Sequence, residues 1–295
     1  MSRAIVVVPC YNEANRLDAV RFQEFSASHP AIDFLFLNDG STDGTLGVLE
    51  RLHAVDPARF RFVHLSRNSG KAEAVRRGML AALEEAPEYV GFWDADLATP
   101  LDEIPHFCRV LDEHPTLGMV IGSRLRLLGH RIDRRPLRHW LGRLFANMAG
   151  ILLGVGIYDT QCGAKLFRAN RTCAALFAEP FRARWIFDVE MFARLVAASR
   201  RFGGPGLEHL VYEYPLDCWR DVAGSKLRPH DFVWSLAELV RIYWTYLRPG
   251  FASPAVTARL AGAGHLPEAT VPGPQVASPA KSGAPVPAPT QRRAA

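Results

Sequence analysis

Val90-Gly-Phe-Trp-Asp-Ala-Asp-Leu-Ala-Thr-Pro100 is an apolar run that stops abruptly at two carboxylates, Asp94 and Asp96, one residue apart. The run reads as a buried strand, and Pro100 opens a new element. Where a strand ends, its strict alternation ends too. Both carboxylates can then face one point and share a hard cation such as Mg2+ or Mn2+. An isolated Asp-x-Asp is more often a plain acidic turn, so the rest of the chain must decide. The same design recurs upstream. Ala4–Pro9, Asp33–Asn38 and Phe60–Leu65 are strand-like runs that lead into Pro9-Cys-Tyr-Asn-Glu13, Asn38-Asp-Gly40 and Asn68-Ser-Gly-Lys71. Helical stretches are expected over 13–28, 45–55, 70–85 and 102–113, with a fifth strand over 118–122. Alternation of this kind predicts a doubly wound α/β sheet. Ligands of such sheets bind beyond the carboxyl ends of the strands, so the four polar clusters are expected to converge on one edge.

The chain has 295 residues, 48% of them hydrophobic, enough for a large core. A net charge of +5 suits an anionic partner: nucleic acid, a phosphate-bearing substrate or an anionic membrane surface. No helix-turn-helix or zinc-finger pattern accompanies it, so nucleic acid is not expected. Five scattered cysteines without a C-x-x-C pair argue for a reducing compartment and against structural zinc. Met1-Ser-Arg leads straight into a strand, and no apolar stretch reaches the ~18 residues of a spanning helix. The expectation is a cytoplasmic protein without signal peptide or transmembrane helix, attached peripherally to the inner face of a membrane.

Residues 1–123 read as a nucleotide-binding half and 124–250 as an acceptor half. The second half opens with a basic loop carrying Arg124, Arg126, Arg131, Arg134 and Arg135. A helix over 137–155 sets Arg138 and Arg143 among Trp140, Leu144 and Phe145, and an aromatic helix is expected over 232–247. Helices with this mixture can lie at a membrane interface. Between them a helix over 187–200 and a strand over 211–215 are expected. Residues 251–295 collapse to Ala, Pro, Gly, Ser and Thr and read as a disordered tail.

Each cluster offers chemistry. Tyr11 can stack on a base and Glu13 can accept from ribose hydroxyls. Asp39 stands where a strand becomes a turn and can accept from a base N–H, while Gly40 permits unusual backbone angles. Asn68-Ser-Gly-Lys71 lacks the Walker spacing, which excludes a P-loop NTPase, but Lys71 remains a candidate nucleotide contact.

In combination these pieces resemble the family 2 glycosyltransferases of the GT-A fold, through Val8–Glu13, Asn38–Thr45, Asn68–Lys71, Asp94–Asp96 and Gly122–Arg124. Asp159–Arg168, Arg184–Glu190 and Gly224–Leu227 are similar to the dolichyl-phosphate β-glucosyltransferase branch of the polyprenyl-phosphate hexose synthases. The resemblance implies a Rossmann-like nucleotide-sugar fold with a mixed central sheet. It implies that Pro9, Tyr11, Glu13, Asp39, Lys71 and Ala95 hold the donor, and that Asp94 and Asp96 hold the metal. Arg124 and Arg138 would bind the acceptor phosphate, and Arg220 with Lys226 would close over the donor diphosphate. Two positions depart from relatives: Ala98 stands where some carry a Gln at the metal, and Gly142 where some carry a Ser at the acceptor.

The reaction implied is inverting, metal-dependent transfer of a hexose, glucose from UDP-glucose by preference, to a polyprenyl phosphate. GDP-mannose remains open as donor, because Asp39 suits uracil or guanine. A hydroxyl acceptor remains open too, and would need a base, for which Asp188 and Glu190 are the candidates.

Overall fold

In the computed structural model the described residues are 2–133, 136–222, 229–249 and 254–263; the side chains of 136–144, 229–233, 254, 257 and 261 lie outside that description. The chain runs β1 (Ala4–Cys10), α1 (Ala19–Ser28), β2 (Ile32–Asp39), α2 (Thr45–Val55), β3 (Phe60–Leu65), α3 (Lys71–Leu83), β4 (Tyr89–Trp93), α4 (Glu103–Glu113) and β5 (Met119–Ser123). It continues through β6 (Arg131–Asp133), α5 (Pro136–Leu153), β7 (Ala164–Arg168), α6 (Arg171–Ala178), α7 (Phe187–Phe202), α8 (Leu207–Leu210), β8 (Val211–Pro215) and β9 (Cys218–Arg220). After α9 (Pro229–Ile242) comes a π turn over Tyr243–Leu247, then α10 (Pro254–Gly262).

Seven strands form one sheet in the order β3-β2-β1-β4-β7-β5-β8. β1 pairs in parallel with β2 and β4, β2 with β3, and β5 with β8. β7 alone runs antiparallel, inserted between β4 and β5. The sheet is therefore mixed, as the resemblance implied. β1 is apolar without alternation because helices cover both faces. Ile5 and Val7 share one buried cluster with Val75 and Met79 of α3, while Val6 and Val8 share the other with Phe22 of α1 and Leu49 of α2.

Several boundaries differ from expectation. The first helix starts at Ala19, capped by Asp18 accepting from the Arg21 N–H, and not at Glu13. The intervening residues make an irregular loop in which Asn12 takes φ 51° and the Glu13 N–H donates to Thr45 Oγ1. β7 had no strand forecast, since Lys165 interrupts its apolar run. That lysine is nonetheless fully buried, paired with Asp188 at 2.7 Å and donating to the Cys162 carbonyl at 2.6 Å. The two forecast halves share one sheet, because β7 and β8 join β1–β5. The stretch forecast as tail contains α10, which starts at a proline suited to a first helical position and buries Val256 and Leu260 in the core. Residues 264–295 lie outside the described residues.

Candidate active site

The site lies at the carboxyl ends of β1, β2 and β4. Asp94 follows β4 directly, and its N–H donates to the Gly163 carbonyl at 3.1 Å, just ahead of β7. A Cβ at Gly163 would stand 1.9 Å from Asp94 Oδ2, so the absence of a side chain there makes room for the carboxylate. The chain then turns tightly. Leu97 adopts φ 51°, unusual for a branched residue, and the Ala98 N–H donates to Asp96 Oδ1 at 3.2 Å. Such strain at a strand end is the kind that functional loops carry.

Two cations face this carboxylate pair. Lys71 Nζ lies 2.5 Å from Asp94 Oδ1, and Arg16 Nη1 lies 3.8 Å from Asp96 Oδ2. Burial, then the charge of Asp94, pushes the Asp96 carboxyl above its ordinary value despite the Ala98 N–H and the two cations. Desolvation pulls the Lys71 ammonium down, but the charges of Asp94 and Asp188 and the hydrogen bond to Asp94 overcome it and leave it raised. The donor set consists of hard carboxylate oxygens in a cradle that a Cβ would fill, which fits Mg2+ or Mn2+. Ala98 adds no ligand, so an ion would take its remaining contacts from water or substrate.

At the ends of β1 and β2 the candidate donor residues Asp39 and Glu13 already have protein partners. Asp39 accepts from the Ser69 N–H (2.7 Å), the Ser69 hydroxyl (2.6 Å) and the Gly70 N–H (2.8 Å). Both of its oxygens thus hold the loop that starts α3 and presents Lys71. Gly40 allows that loop to pass: a Cβ there would meet the Arg67 carbonyl carbon at 2.3 Å. Glu13 is buried and clamps Arg16 through bonds of 2.7 Å to Nε and Nη2. Its carboxylate therefore positions a guanidinium beside Asp96. Pro9 and Tyr11 are half-buried at the end of β1, and Ala95 is buried between the two aspartates.

On the acceptor side, Arg124 follows β5. Its Nε and Nη2 bind Asp159 at 2.6 and 2.7 Å, and Trp219 stacks at 5.4 Å. Asp159 is fixed in turn, since its N–H and that of Tyr158 donate to Glu213 at 2.7 and 2.9 Å. One edge of the guanidinium is thus spent on orientation. The Arg220 N–H donates to the Ala98 carbonyl at 3.1 Å, which brings β9 beside the aspartate turn. The Arg138 side chain and Lys226 lie outside the described residues.

Asp188 and Glu190 separate sharply. Glu190 is fully buried and accepts from the Arg182 and Ala183 N–H groups (2.7 Å each), Arg194 (2.8 Å) and the Tyr246 hydroxyl (2.8 Å). All four donors come from the protein itself, so they anchor Glu190 inside the fold. Asp188 is ion-paired with Lys165 and is close enough to act on Lys71. Sequence reasoning missed Arg16, Gly163, Lys165 and Asp159 as parts of the site. The available signals were the Glu13–Arg16 spacing and the glycine inside Asp159–Arg168.

A sequence profile of glycosyl transferase family 2 matches residues 5–171. A dolichyl-phosphate beta-glucosyltransferase of Dictyostelium discoideum is 33% identical over 259 residues, spanning 82% of this chain and 74% of that protein. A second, from Trichomonas vaginalis, is 32% identical over 256 residues, spanning 83% and 71%. The dolichyl-phosphate beta-glucosyltransferase of Saccharomyces cerevisiae is 31% identical over 265 residues, spanning 82% and 74%. Among solved structures, glucosyl-3-phosphoglycerate synthase from Mycobacterium tuberculosis in complex with UDP has a TM-score of 0.57 at 20% identity, covering 82% of this chain and 80% of that one. A mannosyltransferase from Pyrobaculum calidifontis in complex with GDP-Man and Mn2+ has a TM-score of 0.52 at 20% identity, covering 88% and 68%. The likeness to these two is one of fold, the GT-A fold.

Proposed function

Because the chain belongs to glycosyl transferase family 2, we propose that this glycosyltransferase moves glucose from UDP-glucose to a polyprenyl or dolichyl phosphate with inversion at the anomeric carbon. The observation that carries this reading is the fate of the two candidate bases. Glu190 is consumed by four internal hydrogen bonds and Asp188 by Lys165. A hydroxyl acceptor needs a side chain to take its proton. A phosphate monoester, with a second pKa of ~6, brings a nucleophilic oxygen already ionised near neutral pH. The names of the similar dolichyl-phosphate beta-glucosyltransferases support the same acceptor and sugar.

Asp94 and Asp96 would hold a Mg2+ or Mn2+ ion, whose charge offsets that of the departing diphosphate. Lys71 and Arg220 add positive charge around the same diphosphate, and the sequence resemblance assigns Lys226 to it as well. Pro9, Tyr11, Glu13, Asp39 and Ala95 shape the nucleoside end, Glu13 and Asp39 through the Arg16 clamp and the Ser69–Gly70 loop. Arg124, pre-oriented by Asp159, presents a forked donor to the acceptor phosphate, and the sequence resemblance assigns Arg138 to the same phosphate. Attack in line with the leaving group turns an α-linked donor into a β-linked product.

A lipid acceptor places the protein at a membrane surface, and the cytoplasmic face is where we put it. Among the described residues, no helix is long and apolar enough to cross a membrane. Trp234, Val240 and Trp244 are exposed on α9 and its π turn, beside Arg241 and Arg248, a mixture suited to peripheral attachment. Co-sedimentation with anionic vesicles checks this: replacing both tryptophans by alanine lowers the bound fraction several-fold, and unchanged binding refutes the assignment.

The decisive experiment is a donor panel of UDP-glucose, UDP-galactose and GDP-mannose with Mg2+ or Mn2+ and a short polyprenyl phosphate, read by product mass. Glucosyl phospholipid from UDP-glucose is expected. Product from GDP-mannose alone makes the protein a mannosyltransferase, and transfer to a glycan hydroxyl but not to the lipid phosphate refutes the acceptor.

A further inference from the structure

Two carboxylates one residue apart at a partly buried strand end repel each other unless positive charge stands between or beside them. Here both already have it: Lys71 on Asp94 at 2.5 Å and Arg16 on Asp96 at 3.8 Å. The two cations differ in freedom. Arg16 is held by a two-point clamp from Glu13, and the Glu13 N–H is bonded to Thr45. Lys71 is the first residue of α3, and its backbone is fixed because Asp39 pins Ser69 and Gly70. Its ammonium rides on a flexible four-carbon stem, and the side chain as a whole is 42% exposed. Arg16 is built to stay and Lys71 to move.

The ammonium also occupies ground that a divalent ion needs. Such an ion sits about 2.0–2.1 Å from its carboxylate oxygens if it is Mg2+. An ammonium hydrogen-bonded to the same carboxylate would then be a like charge only a few ångströms away, a costly neighbour. Among the described residues, the acids that act on Lys71 are Asp94, Asp96 and Asp188, and none of them is idle. Of the acids acting on it, Asp96 is the other candidate ligand and Asp188 is already paired with Lys165. Its new partner has to arrive with the ligand.

We infer that Lys71 is the resident counter-cation of the Asp94–Asp96 pair, and that the donor diphosphate admits the divalent ion by drawing the ammonium off Asp94. The exchange moves charge without making or breaking a covalent bond. It rests on the reading of the site as a metal–diphosphate site and adds an order to it. The ion alone competes with a built-in cation and binds weakly. The ion and the diphosphate together satisfy both carboxylates and the lysine. Coupling of this kind is reciprocal, so the ion strengthens diphosphate binding by the same factor.

Isothermal titration of Mn2+ into the full chain, with and without saturating UDP, tests this. In the wild type Mn2+ alone binds weakly and UDP tightens it, within the roughly 5–150-fold range usual for coupled sites. UDP would itself supply ligands to the ion, so the discriminating quantity is the Lys71 variant. Lys71→Met is expected to bind Mn2+ alone about tenfold tighter than wild type and to lose most of the gain from UDP. Lys71→Gln, which keeps a hydrogen-bond donor but not the charge, moves the same way, and Lys71→Arg keeps the wild-type weakness. Thermal melts confirm that each variant is folded, which the exposed position of the side chain favours. Equal Mn2+ affinities for wild type, Lys71→Met and Lys71→Gln, with UDP binding intact, overturn this inference alone. Absence of Mn2+ binding in every protein even with UDP, or full binding in Asp94→Asn/Asp96→Asn, overturns the metal reading and the inference with it.

Discussion

Gly163→Ala is the most economical perturbation of this site, because the structure sets its size. An added Cβ would stand 1.9 Å from Asp94 Oδ2, 2.2 Å from Cγ and 2.6 Å from Oδ1. Reaching even a tight 3.0 Å contact requires the carboxylate to retreat by at least about 1.1 Å. The backbone has no objection, since Gly163 is absent from the glycines with left-handed φ. The obstacle is the far end of one side chain, and a rotation of Asp94 relieves it. Stability should therefore change by less than about 1 kcal/mol, with the entropy of the unfolded chain favouring alanine. Function should not escape. A misplacement of about 1 Å at a reacting centre costs on the order of 100-fold in rate. That corresponds to about 2.7 kcal/mol of lost transition-state stabilisation. The assay is kcat/KM for glucosyl transfer beside a urea melt and a Mn2+ titration. A folded Gly163→Ala protein with wild-type kcat/KM and Mn2+ affinity would refute the placement of Asp94 at the reacting centre.

Two further outcomes follow from the buried network behind the site. Glu190→Gln leaves Arg194, fully buried, without its carboxylate partner, at a cost of about 3–5 kcal/mol in a denaturant melt. The folded fraction should keep kcat within a few-fold of wild type, whereas a 100-fold fall in kcat at unchanged stability would restore Glu190 as a base. Burial and then the charge of Glu190 push the Tyr246 hydroxyl up to about 12. Unfolded, it titrates near 10, so its contribution is complete below pH ~10 and is lost as pH rises through ~12, up to about 2.7 kcal/mol. Tyr246→Phe should flatten the fall of stability with pH in that window. Part of the slope remains, because burial and Asp112 also hold Tyr89 at about 12. A mutant curve parallel to wild type between pH 10 and 12 would contradict the assignment.

What the sequence made legible follows from where the physics is local. Phe60–Leu65 falls within its forecast bounds because an apolar run closed by polar residues carries its own limits. Asp94 and Asp96 close such a run, which is why the sequence singles them out as candidates. β7 was hidden because the partner that makes Lys165 tolerable, Asp188, stands twenty-three residues away in sequence. α10 was hidden because its alanines and proline matched the composition of the residues after it. Asp39 and Glu13 were located correctly as members of the edge. Which donors their oxygens meet depends on Ser69 and Arg16, and a single polar residue does not announce its partner. The roles of the two candidate bases were undecidable from Asp188-Val-Glu190 alone, since helix geometry points neighbours two apart in different directions.

The position of β7 has a consequence for how the protein comes into being. The residues proposed to hold nucleotide and metal belong mostly to the first hundred of the chain, yet the strand beside β4 is supplied by Ala164–Arg168. Until it arrives, β4 presents an open edge and Asp94 has no Gly163 carbonyl to receive its N–H. A chain growing from the ribosome thus carries its proposed ligands long before it can use them. It gains them as a working site only once synthesis has passed residue 168. A fragment ending near residue 123 would be an aggregation-prone sheet with an open edge.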